Sequence, residues 1–253
     1  MDNLHIKELD LEQIRPNKDP EQTMRGGFKI VIIGKPGLGK STLIKQIVYS
    51  KRFLIPVAVV FSGSEEVNGF YKDIFPSCFI YNQFDPQVLE RIFQRQIHAK
   101  EYLPNSWILV IFDDCMHNPS DFLNSSVLKL FKNGRHYNIL ALFTNQYVLD
   151  FKPVLRTLVD GIFLFREQNQ TTLERLYKNF GGIIPSKQEF ITLLNSVTSK
   201  PYTCLYIDNA SCNSKPWEEC IYWFKADQVP DFKFGCDMYK SSKKVKSRET
   251  SNV

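Results

Sequence analysis

The sequence predicts an α/β fold, with a mostly parallel sheet carrying helices on both faces. Three observations predict it. Short apolar runs alternate with stretches of helical periodicity between Phe28 and Phe165. The first run, FKIVII at 28–33, ends in a glycine loop that passes directly into a helical pattern. A later run, WILVIF at 107–112, is apolar throughout, as a strand covered on both faces must be, and it runs into Asp113 and Asp114. In a sheet of this kind crossovers are right-handed and ligands bind outside the carboxyl ends of the strands. The loop, the acids and the end of a further run at Gln146 are therefore expected on one edge.

Composition permits such a fold. The chain has 253 residues, 43% hydrophobic and 23% charged, enough for one large domain and unlike a disordered or collagen-like chain. The net charge of +5 suits a polyanionic partner. Six cysteines lie scattered with no C-x-x-C pair, so neither a zinc site nor a disulfide framework is indicated. No secretion signal and no run of about 18 apolar residues is found, and a non-secreted chain without a membrane span is expected.

In order, residues 1–27 read as a lead-in arm, broken by Pro16 and Pro20 and closed by Gly26 and Gly27. Residues 28–239 read as the main domain, with edge elements at its C-terminal side. After the loop, Leu43, Ile44, Ile47 and Val48 recur at helical spacing. PVAVVF at 56–61 is a second strand, followed by SGSEEVNGFYK, a polar loop in which Phe70 and Tyr71 would stand at a solvated place. A short strand at 78–81 precedes Asp85 and Pro86, an N-cap and first-turn proline ahead of an amphipathic helix. Ser120 or Asp121 is expected to cap a helix closed by Gly134, and Ile139 to Phe143 gives another buried strand. Gly161 to Phe165 gives one more. Capping boxes at Thr171 with Glu174 and at Ser186 with Glu189 start two helices. Residues 202–207 and 220–224 read as late strands, a hairpin on the sheet edge. From residue 240 the chain is basic and serine-rich, and it is expected to be disordered.

The loop carries the chemistry. GKPGLGKS matches G-x-x-x-x-G-K-[ST] between a strand and a helix, the context in which that spacing binds a nucleotide. Gly34, Gly37 and Gly39 let the backbone close on a phosphate, held by N–H groups from Gly37 through Leu38 and Gly39 to Lys40 and by the start of the helix at Ser41 and Thr42. Lys40 would reach the outer phosphates of ATP, and Ser41 would ligate Mg²⁺. Two strands and a further helix separate the helix after the loop from the strand that ends in the acids, the insertion that marks P-loop proteins with a second, catalytic acid. Asp113 would hold Mg²⁺ and Asp114 would polarise the attacking water. Arg135 follows a helix-ending glycine; it either complements that helix end or reaches a neighbouring subunit's γ-phosphate, with Arg156 and Arg166 as rivals. Gln146 either senses the γ-phosphate or water, or is a turn amide bonded to backbone.

Taken together, GKPGLGKS, ILVIFDD, NGRHYNI and FTNQY, with FSGSEEVNGFYKDIFP between them, resemble the genome-packaging ATPases of poxviruses and other large eukaryotic DNA viruses and virophages, within the FtsK/HerA superfamily. The resemblance spans about Phe28 to Phe165. It implies a RecA-like core that assembles into a homo-oligomeric ring and drives double-stranded DNA into a capsid, with a capsid component as a further partner. It implies action inside the host cell, at the viral factory, and presence in the virion. It makes Arg135 the finger acting in trans and Gln146 the strand-end glutamine. Asp114 stands where many members of the wider superfamily have Glu. The alternative from another class is a P-loop kinase of a small molecule or nucleoside, and a third is a nucleotide-gated scaffold without turnover. A GTPase would require an N-K-x-D segment, which the chain lacks.

Overall fold

The computed structural model describes residues 6–116, 120–146 and 153–243. Its strands and helices in chain order are β1 (Lys7–Glu8), α1 (Pro20–Met24), β2 (Phe28–Ile33), α2 (Lys40–Lys51), β3 (Val57–Ser62), α3 (Glu65–Asn68), β4 (Ile80–Tyr81) and α4 (Pro86–Tyr102). There follow β5 (Ile108–Asp113), α5 (Ser125–Asn133), β6 (Ile139–Asn145), α6 (Pro153–Arg156), β7 (Gly161–Leu164), α7 (Gln170–Leu176), α8 (Lys187–Val197), β8 (Thr203–Asp208), β9 (Ile221–Lys225) and α9 (Asp237–Lys240).

Among the described residues the strands form one nine-stranded sheet in the order β1-β9-β8-β7-β2-β6-β5-β3-β4. The six strands from β7 to β4 run parallel, while β8 lies antiparallel to both β7 and β9. One strand, β6, separates the strand that leads into the glycine loop from the strand that ends in the acids.

The central strands are buried on both faces, which is why they read as unbroken apolar runs. Side chains alternate between two apolar layers. Ile30 and Ile32 of β2 and Leu109 and Ile111 of β5 pack with Leu43 and Ile47 of α2. Val31, Ile33, Val110 and Phe112 face the other way, towards Leu89 and Phe93 of α4 and Val127 and Phe131 of α5. Helices thus cover both faces, as the sequence predicts. Phe112 stacks on Phe143 with ring centroids 4.5 Å apart and on Phe61 at 5.2 Å. This row of rings crosses β3, β5 and β6 one residue below Asp113 and stiffens the strand ends on which the acids sit.

Several local readings change. The helix expected to begin at Ser120 or Asp121 begins later, because the Asn124 side chain accepts from Ser126 N–H and caps α5, leaving Asp121–Leu123 as a separate turn. Asn169, not Thr171, caps α7, since its side chain accepts from Thr172 N–H. Ser186 does cap α8, and Asp85 with Pro86 does start α4. Tyr71 is not solvated: it is 1% exposed. Glu65 draws the segment inward, its buried carboxylate accepting from the N–H groups of Tyr71 at 2.9 Å and Lys72 at 3.0 Å. The lead-in packs onto the rest of the chain, with β1 on the outer side of β9 and Leu9 and Ile14 in the core. The late hairpin pairs as expected, but it is not the sheet edge, because β1 pairs along the outer side of β9. Residues 244–253, most of the basic tail, lie outside the described residues.

Candidate nucleotide-binding site

The loop between β2 and α2 has the shape its glycines dictate. Gly37 and Gly39 have φ of +80° and +105°, a region in which any side chain would strain the backbone. Gly34 is needed for another reason, because a Cβ there would lie 2.8 Å from Cβ of Phe165, the residue that follows β7. Lys40 opens α2 with its side chain folded back, Nζ donating to the Gly34 carbonyl at 2.6 Å. Burial lowers the pKa of this ammonium below that of a free lysine, and the charges of Asp114 and Asp113 partly offset the effect. Lys35 on the rim pairs with Glu167 at 2.7 Å, which ties the loop to the exit of β7.

The acids come from the next strand but one. Asp113 pairs in register with Thr144 of β6, and Thr144 Oγ1 donates to its Oδ1 at 2.6 Å. The same hydroxyl accepts from Asp114 N–H at 3.1 Å, holding Asp114 at a φ of +44°. That left-handed conformation is uncommon for a residue with a side chain, and such strain concentrates at functional sites. Gln146 Nε2 donates to Asp114 Oδ2 at 2.9 Å, so among the described residues the strand-end amide bonds the second acid. Burial raises the Asp113 pKa above the usual carboxylate range; the Thr144 hydrogen bond opposes this and the Asp114 charge adds to it. The buried Tyr71 hydroxyl faces Asp113 from beyond ordinary hydrogen-bond geometry, close enough to favour the carboxylate. Gly37, Gly39, Lys40, Ser41, Thr42, Asp113, Asp114 and Gln146 line one cavity of about 400 Å³. Leu38 contributes to the neighbouring cavity on the β7 side.

No protein-family model matches the chain. Protein 015R of Frog virus 3 is 48% identical over 89% of this chain and 70% of its own length. Protein 088R of Invertebrate iridescent virus 3 is 45% identical over 94% of this chain and 92% of its own. The chain belongs to this family of large DNA virus proteins. Among solved structures, the DNA-packaging ATPase B204 of Sulfolobus turreted icosahedral virus superposes with a TM-score of 0.58 at 16% identity, covering 81% of this chain and 98% of that one. The chain thus has the P-loop NTPase fold, shared with that ATPase over 81% of its residues.

In this family member Arg135 stands apart from the loop. It sits at the root of β6, where its guanidinium pairs with buried Asp160, which also bonds Lys29 Nζ at 2.8 Å. β6 rises about 3.3 Å per residue, so its seven residues set Arg135 roughly 20 Å from the acids of its own chain, farther than an arginine reaches. Arg156 ends α6, and Arg166 follows β7, donating to the Thr198 carbonyl at 3.5 Å.

Thr144, Ser64 and Tyr202 are site residues that the sequence reading did not single out, and Tyr71 is one that it placed in solvent. Thr144 follows from strand register, which places it opposite Asp113. Ser64 and Tyr202 line the main cavity from loops after β3 and before β8. Among the described residues no group of three or more His, Cys, Asp or Glu side chains is placed to hold a metal alone. Ser41 and Asp113 on one cavity are the one or two hard oxygen donors that Mg²⁺ takes from a protein when phosphates and water supply the rest, so the donor set fits that ion. Among the described residues no helix is long and apolar enough to cross a membrane.

Proposed function

We propose that this chain is an ATP-hydrolysing translocase that moves double-stranded DNA into a viral capsid as a homo-oligomeric ring. The observation that carries the proposal is the single cavity shared by Lys40, Ser41, Asp113, Asp114 and Gln146, three strand ends supplying the groups for gripping a triphosphate and cleaving it. The kinship with iridovirus proteins and the fold shared with a packaging ATPase support the viral setting.

Each residue has a part that its placement supports. The N–H groups from Gly37 to Ser41 and the N-terminus of α2 bind the phosphates, and Lys40 exchanges the Gly34 carbonyl for phosphate oxygens. Ser41 and Asp113 hold Mg²⁺, which when bound neutralises charge on the outer phosphates. Asp114, fixed by Thr144 and Gln146, orients and polarises water for attack on the terminal phosphate. Arg135, out of reach of its own site, serves the site of an adjacent subunit. Residues 28–239 form the motor domain, the tail from 240 is a basic extension, and the ring works inside the host cell beside a capsid partner.

The test is hydrolysis by the purified protein with and without duplex DNA. Wild type should turn over ATP and accelerate severalfold with DNA, whereas Lys40→Ala should neither bind nor hydrolyse. Stimulation by a nucleoside, with phosphate transferred to it, would replace the motor with a kinase.

A further inference from the structure

The phosphate cavity has a second compartment. A cavity of about 280 Å³ lies on the β7 side of the loop, walled by Leu38, Phe165, Arg166, Thr198, Pro201 and Tyr202. Tyr202 also lines the phosphate cavity, so its ring is the wall common to the two. Sheet order fixes which end of a nucleotide would enter. With β5 and its acids on one flank of β2 and β7 with β8 on the other, a triphosphate whose terminal phosphate meets Asp113 and Asp114 leaves the loop towards β7.

We infer that this compartment receives the nucleobase and that Tyr202 is the platform on which the base stacks, a binding role that rests on the nucleotide reading above. Tyr202 is half exposed although its ring is large and apolar. Its backbone has φ of +61°, a conformation that glycine adopts freely and tyrosine only under strain. The conformation is nonetheless held from both ends. The Tyr202 carbonyl accepts from Ala226 N–H at 2.9 Å, and Arg166 bonds the Thr198 carbonyl at the start of the same loop. The ring is thereby placed against the phosphate loop, close enough that a Cβ on Gly39 would come within 2.9 Å of it. A strained, anchored and unburied aromatic edging a mostly apolar cavity is what base stacking requires.

The experiment titrates wild type, Tyr202→Gly and Tyr202→Phe with ATP and with inorganic tripolyphosphate, each with Mg²⁺. Glycine suits the backbone at this position, so Tyr202→Gly removes the ring without disturbing the loop, and its melting temperature should not fall. Tyr202→Gly should lose about 10- to 100-fold in ATP affinity, the range expected for one stacked base, and bind tripolyphosphate as wild type does. Tyr202→Phe should match wild type for both. Unchanged ATP affinity in Tyr202→Gly, or equal losses for ATP and tripolyphosphate, would overturn the base site while leaving the phosphate loop intact. Wild type that binds neither ligand would overturn the nucleotide reading itself, and the base site with it.

Discussion

Two acids that are neighbours in sequence are set apart by what bonds them. Asp113 is buried in the strand and receives the Thr144 hydroxyl, whereas Asp114 turns out of the strand into a left-handed conformation with Gln146 on its carboxylate. On the proposed mechanism these environments define two roles, ligand and water activator, and they give different mutational signatures. Asp114→Asn should lower kcat about 10²- to 10⁴-fold with ATP affinity little changed, the range of a lost general base. Gln146→Ala, which frees the Asp114 side chain without neutralising it, should show a smaller fall in kcat and the same unchanged affinity. Steady-state hydrolysis beside equilibrium titration separates the two. A pH profile tests the other acid. Burial raises the Asp113 pKa, so Mg²⁺-dependent nucleotide binding should develop as pH rises through a value above the usual carboxylate range. Thr144→Val removes a bond that lowers that pKa, so the rise should move to higher pH. A profile that shifts down or stays put would contradict the assignment.

At the scale of elements, α2 joins the site to the lead-in. Its first residue is the site lysine, and its last, Lys51, is fully buried with Nζ donating to the Leu11 carbonyl at 2.8 Å. Burial pushes the Lys51 pKa down to about 8, against the opposing charges of Glu12 and Asp10. The unfolded chain keeps that proton up to the ordinary lysine value of 10.5, so between about 8 and 10.5 it binds more protons than the folded chain. Stability should therefore rise with pH across that window, by roughly 3 kcal/mol from this one group. Lys51→Met should flatten that rise, read as the difference between wild-type and variant urea midpoints from pH 7 to 10.5; parallel curves would show that Lys51 titrates normally. The docked lead-in was not legible from sequence because its strand is two residues long, too short for a period-2 signal. The core strands were legible because burial on both faces forces unbroken apolar runs. Caps shifted by two to four residues because Asn124 and Asn169 compete with nearby Ser, Asp and Thr for the same role, and only the path of the chain decides between them.

Across the whole molecule, the site was legible as far as strand ends reveal it: Gly34, Asp113 and Gln146 each close an apolar run, and parallel topology carries all three to one edge. Thr144 and Tyr202 were not, since one depends on the register between β5 and β6 and the other on an antiparallel return that brings the start of β8 to the rim. The same topology sends Arg135 to the opposite edge, because it lies in the turn that precedes the strand that Gln146 follows. On the proposed mechanism, an arginine that serves the terminal phosphate but is held at the far end of its own sheet acts on another copy. Asp160 is buried and pairs with the guanidinium itself, while the Arg135 side chain is about half exposed, so the charge is held at the surface of that edge. Arg135→Ala leaves Asp160 paired with Lys29, so the fold should persist and ATP should still bind. Hydrolysis should fall by about 10³-fold or more, the effect of losing an arginine finger. Lys40→Ala should be inactive for the separate reason that it cannot hold ATP. Mixed in equal amounts, the two inactive variants should regain measurable turnover, because a Lys40→Ala subunit lends its intact Arg135 to the intact loop of an Arg135→Ala neighbour. A mixture as inactive as its parts, or an Arg135→Ala protein that hydrolyses ATP at the wild-type rate, would show that this arginine does not work between subunits.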